Sequence, residues 1–181
     1  MVDLFNYTRR ASSVAHIGAL DLGGDNPIRI QSMTTTNTND TEACVRQAEE
    51  IIKAGGELVR FTTQGSREAE NMKNINAGIR ADGYQTPLVA DVHFNPNVAD
   101  VAALYCEKVR INPGNYVDPA RKFIKQEYTD EEYAHELQKI EERFVPFLNI
   151  CKENHTAIRI GVNHGSLSDR IRNRYGDTPE G

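Results

Sequence analysis

Tryptophan is absent from this 181-residue chain, cysteine occurs three times, and no apolar run approaches the roughly 20 residues a membrane-spanning helix needs. The three thiols, Cys44, Cys106 and Cys151, stand far apart without a C-x-x-C pair. No thiolate metal or cluster motif is therefore visible, and buried free thiols are expected. Basic residues are outnumbered, 21 Lys and Arg against 26 Asp and Glu, for a net charge of −5. That balance lacks the basic face that nucleic acid or an anionic membrane selects, so neither is expected as a partner. The opening residues, MVDLFNYTRRASSV, hold neither the apolar core of a secretory signal nor the Arg/Ser bias of a transit peptide, and a cytoplasmic location is expected. What is present, 39% hydrophobic and 26% charged residues, describes a soluble globular chain large enough for one domain with a true core.

Short aliphatic runs alternate with amphipathic stretches. The runs PIRIQSMT (27–34), ELVRFTT (57–63), PLVADVH (87–93), KVRIN (108–112) and AIRIGVN (157–163) read as five strands. Helices are expected between them: from 39 or 40 to 54, with Asn39 or Asp40 as cap and Gly55-Gly56 as stop; from 66 to 80; and from 96 to about 106. The long stretch before the fifth strand should hold two helical pieces. Thr129 to Glu132 forms a capping box for the longer one, and its charges form a solvated face. Strands holding consecutive aliphatics, alternating with helices, imply a parallel sheet covered on both sides. The segment before the first strand, SSVAHIGALDLGGDNP, alternates and carries glycines, which suggests an N-terminal β-hairpin closing the bottom of a barrel. An eight-fold β/α barrel takes about 250 residues. The expected fold is therefore a TIM-type α/β barrel truncated after about five β/α units. The helix-start signal Thr178-Pro179-Glu180 at the end of the chain suggests a segment of a longer protein.

An arginine recurs inside four of the strands, as I-R-I at 28–30, V-R-F at 59–61, V-R-I at 109–111 and I-R-I at 158–160. A guanidinium keeps its charge, so one buried in a strand needs an anion. Core carboxylates or solvent can meet that need. However, Arg60, Arg110 and Arg159 each precede a polar turn (TTQGS, NPGN, GVNHGS), and strand C-termini are where parallel β/α proteins bind ligands. Asp91 is the main carboxylate at those ends, so an anionic ligand is left to complete the pairing, and guanidinium forks match phosphate oxygens. Arg29 lies on the first strand with no face assigned.

The turn at 112–115 offers Asn112 and Asn115 amides, Pro113 for rigidity and Gly114 for close backbone approach. Asn163, His164, Gly165 and Ser166 repeat the arrangement. Asp91 and His93, two apart on one strand, share a face. They suit recognition of substrate hydroxyls or a metal half-site, or His93 is simply satisfied by Asp91 or a carbonyl.

The motifs IRIQSMTTT, LVADVHF, VRINPGN, IRIGVNHGSLSDRI and YGDTPEG, in this order, resemble the 4-hydroxy-3-methylbut-2-enyl diphosphate synthase family of the non-mevalonate isoprenoid pathway. The helical stretch YTDEEYAHELQKIEERFVPFL resembles the family's long form, found in plants and some bacteria. The resemblance implies a barrel holding 2-C-methyl-D-erythritol 2,4-cyclodiphosphate. It also implies an inserted domain and a C-terminal domain with a 4Fe-4S cluster on three cysteines and a glutamate. Ferredoxin or flavodoxin would supply two electrons for reductive ring opening. By motif, substrate contacts fall on Arg60, Arg110 and Arg159, with Asn112 and Asn163 beside them and Asp91 and His93 as a polar pair. Residues 1–181 would then be the N-terminal part of the barrel, without the later strands, the insert or the cluster domain. The chain alone would be inactive and would bind no iron. Independently of the resemblance, five strands of a barrel leave two open edges, so the isolated chain is expected to self-associate as a homo-oligomer or else to be only marginally stable with a loose last strand. A pterin-binding type of barrel transferase and a non-catalytic assembly module are the alternatives.

Overall fold

Five parallel strands, each bonded to its neighbours in chain order, form the centre of the molecule. The computed structural model describes residues 10–93, 95–116, 128–163, 167–176 and 178, and of Asn115 the backbone alone. Its elements are a hairpin of β1 (Val14–Ile17) and β2 (Leu20–Gly23), then β3 (Gln31–Met33), α1 (Thr41–Lys53), β4 (Leu58–Thr62), α2 (Ser66–Ala81), β5 (Leu88–Asp91), α3 (Pro96–Ala102), β6 (Lys108–Ile111), α4 (Asp130–Glu153), β7 (Ala157–Ile160) and α5 (Asp169–Tyr175). The sheet order is β3-β4-β5-β6-β7, and among the described residues β3 and β7 are its edges.

Local chemistry accounts for the helix ends. Asp40 accepts the Ala43 N–H at 3.0 Å and starts α1. Thr129 and Glu132 exchange reciprocal bonds at the start of α4, as the capping box predicts. The charges of α4 lie mostly on exposed positions, while Tyr133, Phe147 and Cys151 are buried.

The side-chain period of two divides the sheet into two faces. Val59, Phe61, Leu88, Ala90, Val109 and Ile111 face the helices and form one apolar cluster with α1 through α4. At about 1.5–3 kcal/mol per fully buried large side chain, this layer is the main source of stability. The opposite face carries Leu58 and Arg60 on β4, Val89 and Asp91 on β5, Lys108 and Arg110 on β6, and Ala157 and Arg159 on β7. The N-terminal hairpin covers the lower part of this inner face. Ile17 is fully buried against Leu58 and Val89, with Leu20, Leu22 and Ala157 packed around it. The hairpin therefore does close the bottom of the sheet.

Three expectations change. The first strand begins at Gln31, because the ladder with β4 starts at Gln31 and Leu58. Residues 28–30 precede it, with Ile28 84% exposed. Helix α3 ends at Ala102, and Cys106 lies in the connection to β6. The described part of the long stretch between β6 and β7 is one 24-residue helix; the first of the two expected pieces falls outside the described residues.

Candidate anion-binding site

The register of the parallel sheet collects the strand arginines. Arg60 stands opposite Met33 and Val89, Lys108 opposite Val89 and Ala157, and Arg110 opposite Asp91 and Arg159. All of these positions lie on the inner face; Val89 and Ala157 belong to the hairpin's apolar cluster, and Asp91 and Arg110 lie one row above it.

Asp91 is the hub, and it is 1% exposed. Its carboxylate accepts from Arg60 Nη2, lies 2.9 Å from His93 Nε2 through Oδ2, and lies 3.6 Å from Arg110 Nη1 through Oδ1. One carboxylate thus serves two guanidinium groups and an imidazole. It does not satisfy them: Arg60 Nε and Asp91 Oδ1 are buried without a hydrogen-bond partner among the described residues. Arg110 gains one further bond, donating Nη2 to the Gly161 carbonyl at 2.8 Å. Arg159, on β7, is exposed and has no ion-pair partner among the described residues. The structure therefore joins Arg60, Asp91, His93 and Arg110 in one cluster and sets Arg159 beside it.

The two asparagines sit on the loops above. Asn112 is buried, and its Oδ1 accepts the Gly114 N–H at 3.1 Å, capping the short 3-10 turn Pro113–Asn115. Its first role is to shape the turn. The close backbone approach expected of Gly114 is made within the protein, since a Cβ there would lie 3.3 Å from Asn112 Oδ1 and 3.4 Å from the Ser168 backbone nitrogen. Asn163 is exposed just beyond β7. The Asn115 side chain, His164, Gly165 and Ser166 lie outside the described residues.

Two residues of this region are not singled out by the sequence. A Cβ on Gly161 would fall 1.9 Å from Arg110 Nε, so glycine there makes room for the guanidinium. The signal was present as the glycine that follows I-R-I. Lys108 is 7% exposed on the inner face, two residues before Arg110. Burial, followed by the nearby Arg159 and Arg60, holds its ammonium below the ordinary lysine range. Its spacing from Arg110 marks the shared face; its burial requires the fold.

Arg29 belongs to a different environment. It donates Nε to the Asp21 carbonyl at 2.8 Å and pairs with Glu57 at 2.9 Å, at the N-terminal end of the sheet. The cysteines lie in the helix-side core, where burial raises all three thiols, Cys151 to about 12. Among the described residues no three His, Cys, Asp or Glu side chains gather in a metal-binding group, and no helix is long and apolar enough to cross a membrane.

Residues 12–181 match the family described as the GcpE TIM-barrel domain. The chain is 77% identical over 180 residues to a protein of Phocaeicola vulgatus named 4-hydroxy-3-methylbut-2-en-1-yl diphosphate synthase (flavodoxin), covering 99% of this chain and 29% of that protein. Proteins of the same name from Bacteroides thetaiotaomicron (76% identical, covering 99% of this chain) and Parabacteroides distasonis (67%, covering 98%) are similar over the same 29% of their length. The chain thus spans less than a third of these relatives. A solved 7,8-dihydropteroate synthase from Vibrio fischeri covers 89% of this chain and 72% of its own, at 14% identity and a TM-score of 0.43, a likeness too slight to bear on fold or function.

Proposed function

This chain belongs to the GcpE TIM-barrel domain family, and from that premise we propose that it is the substrate-binding barrel segment of a 4-hydroxy-3-methylbut-2-enyl diphosphate synthase. The observation that carries the reading is the charge imbalance of the inner face. Arg60, Lys108, Arg110 and Arg159 face one buried carboxylate, Asp91. A buried cation without an anion is costly. A cyclic diphosphate supplies the missing charge in oxygens that match guanidinium forks. The relatives' shared name supports the same substrate class.

The residues divide the work. Arg60, Arg110 and Arg159 hold phosphate oxygens, and Asn163 adds an amide at the rim. Asp91 acts through the arginines, fixing two guanidinium planes before the ligand arrives, which lowers the ordering cost of binding. Asp91 also orients His93, so that the imidazole is placed to meet a substrate hydroxyl. Asn112 keeps the 112–115 turn in shape above them. The reaction is reductive opening of 2-C-methyl-D-erythritol 2,4-cyclodiphosphate to 4-hydroxy-3-methylbut-2-enyl diphosphate, with electrons from flavodoxin, the donor in the relatives' name, or from ferredoxin.

The iron–sulfur cluster implied by the resemblance does not fit the described residues, whose three thiols are enclosed in the helix-side core. We assign it to a separate domain of the full-length protein and derive no step through it here. Residues 1–181 are, on this reading, the N-terminal part of the barrel. As an isolated piece they associate with one another through β3 and β7, whose outer edges are open among the described residues.

Calorimetry on the full-length protein tests the substrate assignment. Binding of the cyclodiphosphate, weakened about 10- to 100-fold in Arg60→Lys, is the expected outcome. Binding of a reduced pterin without binding of the cyclodiphosphate would overturn it and favour a pterin-dependent barrel transferase.

A further inference from the structure

Lysine is almost never buried unless paired, yet Lys108 is 7% exposed and has no ion-pair partner among the described residues. Its neighbourhood explains why none is available. On β4 the charged neighbour is Arg60, on β7 it is Arg159, and on its own strand it is Arg110; all are cations. On β5, Asp91 already serves Arg60, Arg110 and His93. Glu107, next in sequence, is taken by Arg80 and by the Leu88 N–H. Glu57 is held by Arg29 and the Ile30 N–H, and Asp21 on the hairpin by His16. Val89 and Ala157, the cross-strand neighbours of Lys108, belong to the apolar cluster under Ile17. The amine therefore sits above an apolar floor, among cations, with nothing negative of its own.

Register fixes where it can reach. Arg60 and Lys108 lie in one row, two strands apart, with Val89 between them. That places their backbones roughly 10 Å apart, within span of two long side chains converging on one group. We propose that Lys108 is a further ligand for the anionic substrate, meeting from beside Arg60, one row below Arg110, the same phosphate group that these two arginines hold. The inference rests on the substrate reading given above. It adds a consequence that the arginines cannot share. Burial and the flanking arginines draw the Lys108 ammonium toward losing its proton. An arriving anion opposes that field and favours the charged form. Binding should then take up as much as about one proton through this side chain, whereas the arginines stay charged throughout.

The test uses the full-length protein, with the cyclodiphosphate and inorganic pyrophosphate as separate probes. Titration calorimetry in two buffers of equal pH but different ionisation enthalpy, repeated from about pH 7 to 10, reads proton uptake directly. The wild type should take up more protons than Lys108→Arg, whose guanidinium stays charged throughout. Lys108→Met should bind about 10- to 100-fold more weakly. If Lys108→Met does not fold, the comparison of wild type with Lys108→Arg still decides. Equal proton uptake in those two proteins overturns the assignment, as does wild-type affinity in a folded Lys108→Met. A wild type that binds neither probe removes the substrate reading itself, and this inference with it.

Discussion

The two ends of the sheet treat the same cation in opposite ways. At the N-terminal end, Arg29 has Glu57 at 2.9 Å and the Asp21 carbonyl at 2.8 Å. Arg80 there has Glu107 at 2.8 Å and the carbonyls of Tyr84 and Thr86, each at 3.1 Å. Each arginine owns a carboxylate and is completed by backbone. At the C-terminal end Asp91 is divided among Arg60, Arg110 and His93, while Arg159 and Lys108 have no anion among the described residues. Burial does not separate the two groups, since the Arg29 side chain is 17% exposed and that of Arg110 12%. The supply of carboxylates does. An end whose charges are matched one to one holds the fold together, and an end with a surplus of cations fits the anionic ligand proposed above.

The sharpest way to break this comparison is to remove the hub. Asp91→Ala leaves two guanidinium groups facing each other without their anion, and should cost about 3–5 kcal/mol in urea unfolding of the 181-residue chain. Glu107→Ala, whose partner Arg80 keeps two carbonyls, should cost only about 1–2 kcal/mol. Equal losses would mean that the two ends are equally paired.

Next in size is a matched exchange of arginine for lysine at each end. In the full-length protein, with the proposed reaction as readout, Arg110→Lys should lower kcat/KM about 10- to 150-fold, the equivalent of 1.5–3 kcal/mol for a hydrogen bond to a charged group, mainly through KM. Arg80→Lys should leave kcat/KM within about twofold while lowering stability by about 1 kcal/mol. An Arg110→Lys protein with unchanged kcat/KM would reassign Arg110 to the structural set.

How much of this was legible in the sequence depends on which interaction is asked about. Caps and periodicity are local, so α1, α4 and the hairpin follow from residues near one another, as does the sharing of one face by Arg110 and Lys108. Register is not local. The I-R-I at 28–30 and the I-R-I at 158–160 look identical in the chain. Yet β3 begins its ladder only at Gln31, which leaves Arg29 outside the sheet beside Glu57, while Arg159 lies within β7 beside Arg110. The apolar cluster that holds Val89 and Ala157, the cross-strand neighbours of Lys108, depends on Ile17, about ninety residues earlier. The crowding of Asp91 depends on three adjacent strands, with Arg110 reaching it from its own row and Arg60 from the row below. Sequence spacing shows which residues share a face but not who their neighbours across the sheet are, and the difference between a structural and a ligand-binding arginine lies in those neighbours.

The smallest effect concerns pH and the N-terminal end alone. Glu57 is held below the ordinary carboxylate range, first by the Ile30 N–H and then by Arg29. A carboxylate with a depressed folded pKa contributes stability above its unfolded value, near 4.5, and loses it as pH falls through the folded value. Thermal unfolding of the 181-residue chain should therefore show Tm dropping on acidification below about pH 4.5. Glu49 and Glu136, held low first by Lys53 and Lys139, add slopes of the same sign, so the informative quantity is a difference. In Glu57→Gln the fall of Tm with acid should be shallower than in the wild type, because one of the groups that must be protonated is gone. Near neutral pH the variant should be the less stable of the two, having lost its charge-assisted bonds to Arg29 and the Ile30 N–H. Parallel Tm curves for the two proteins across the acid range would show that Glu57 is not the anchor of Arg29, and the one-to-one pairing at this end would lose its first member.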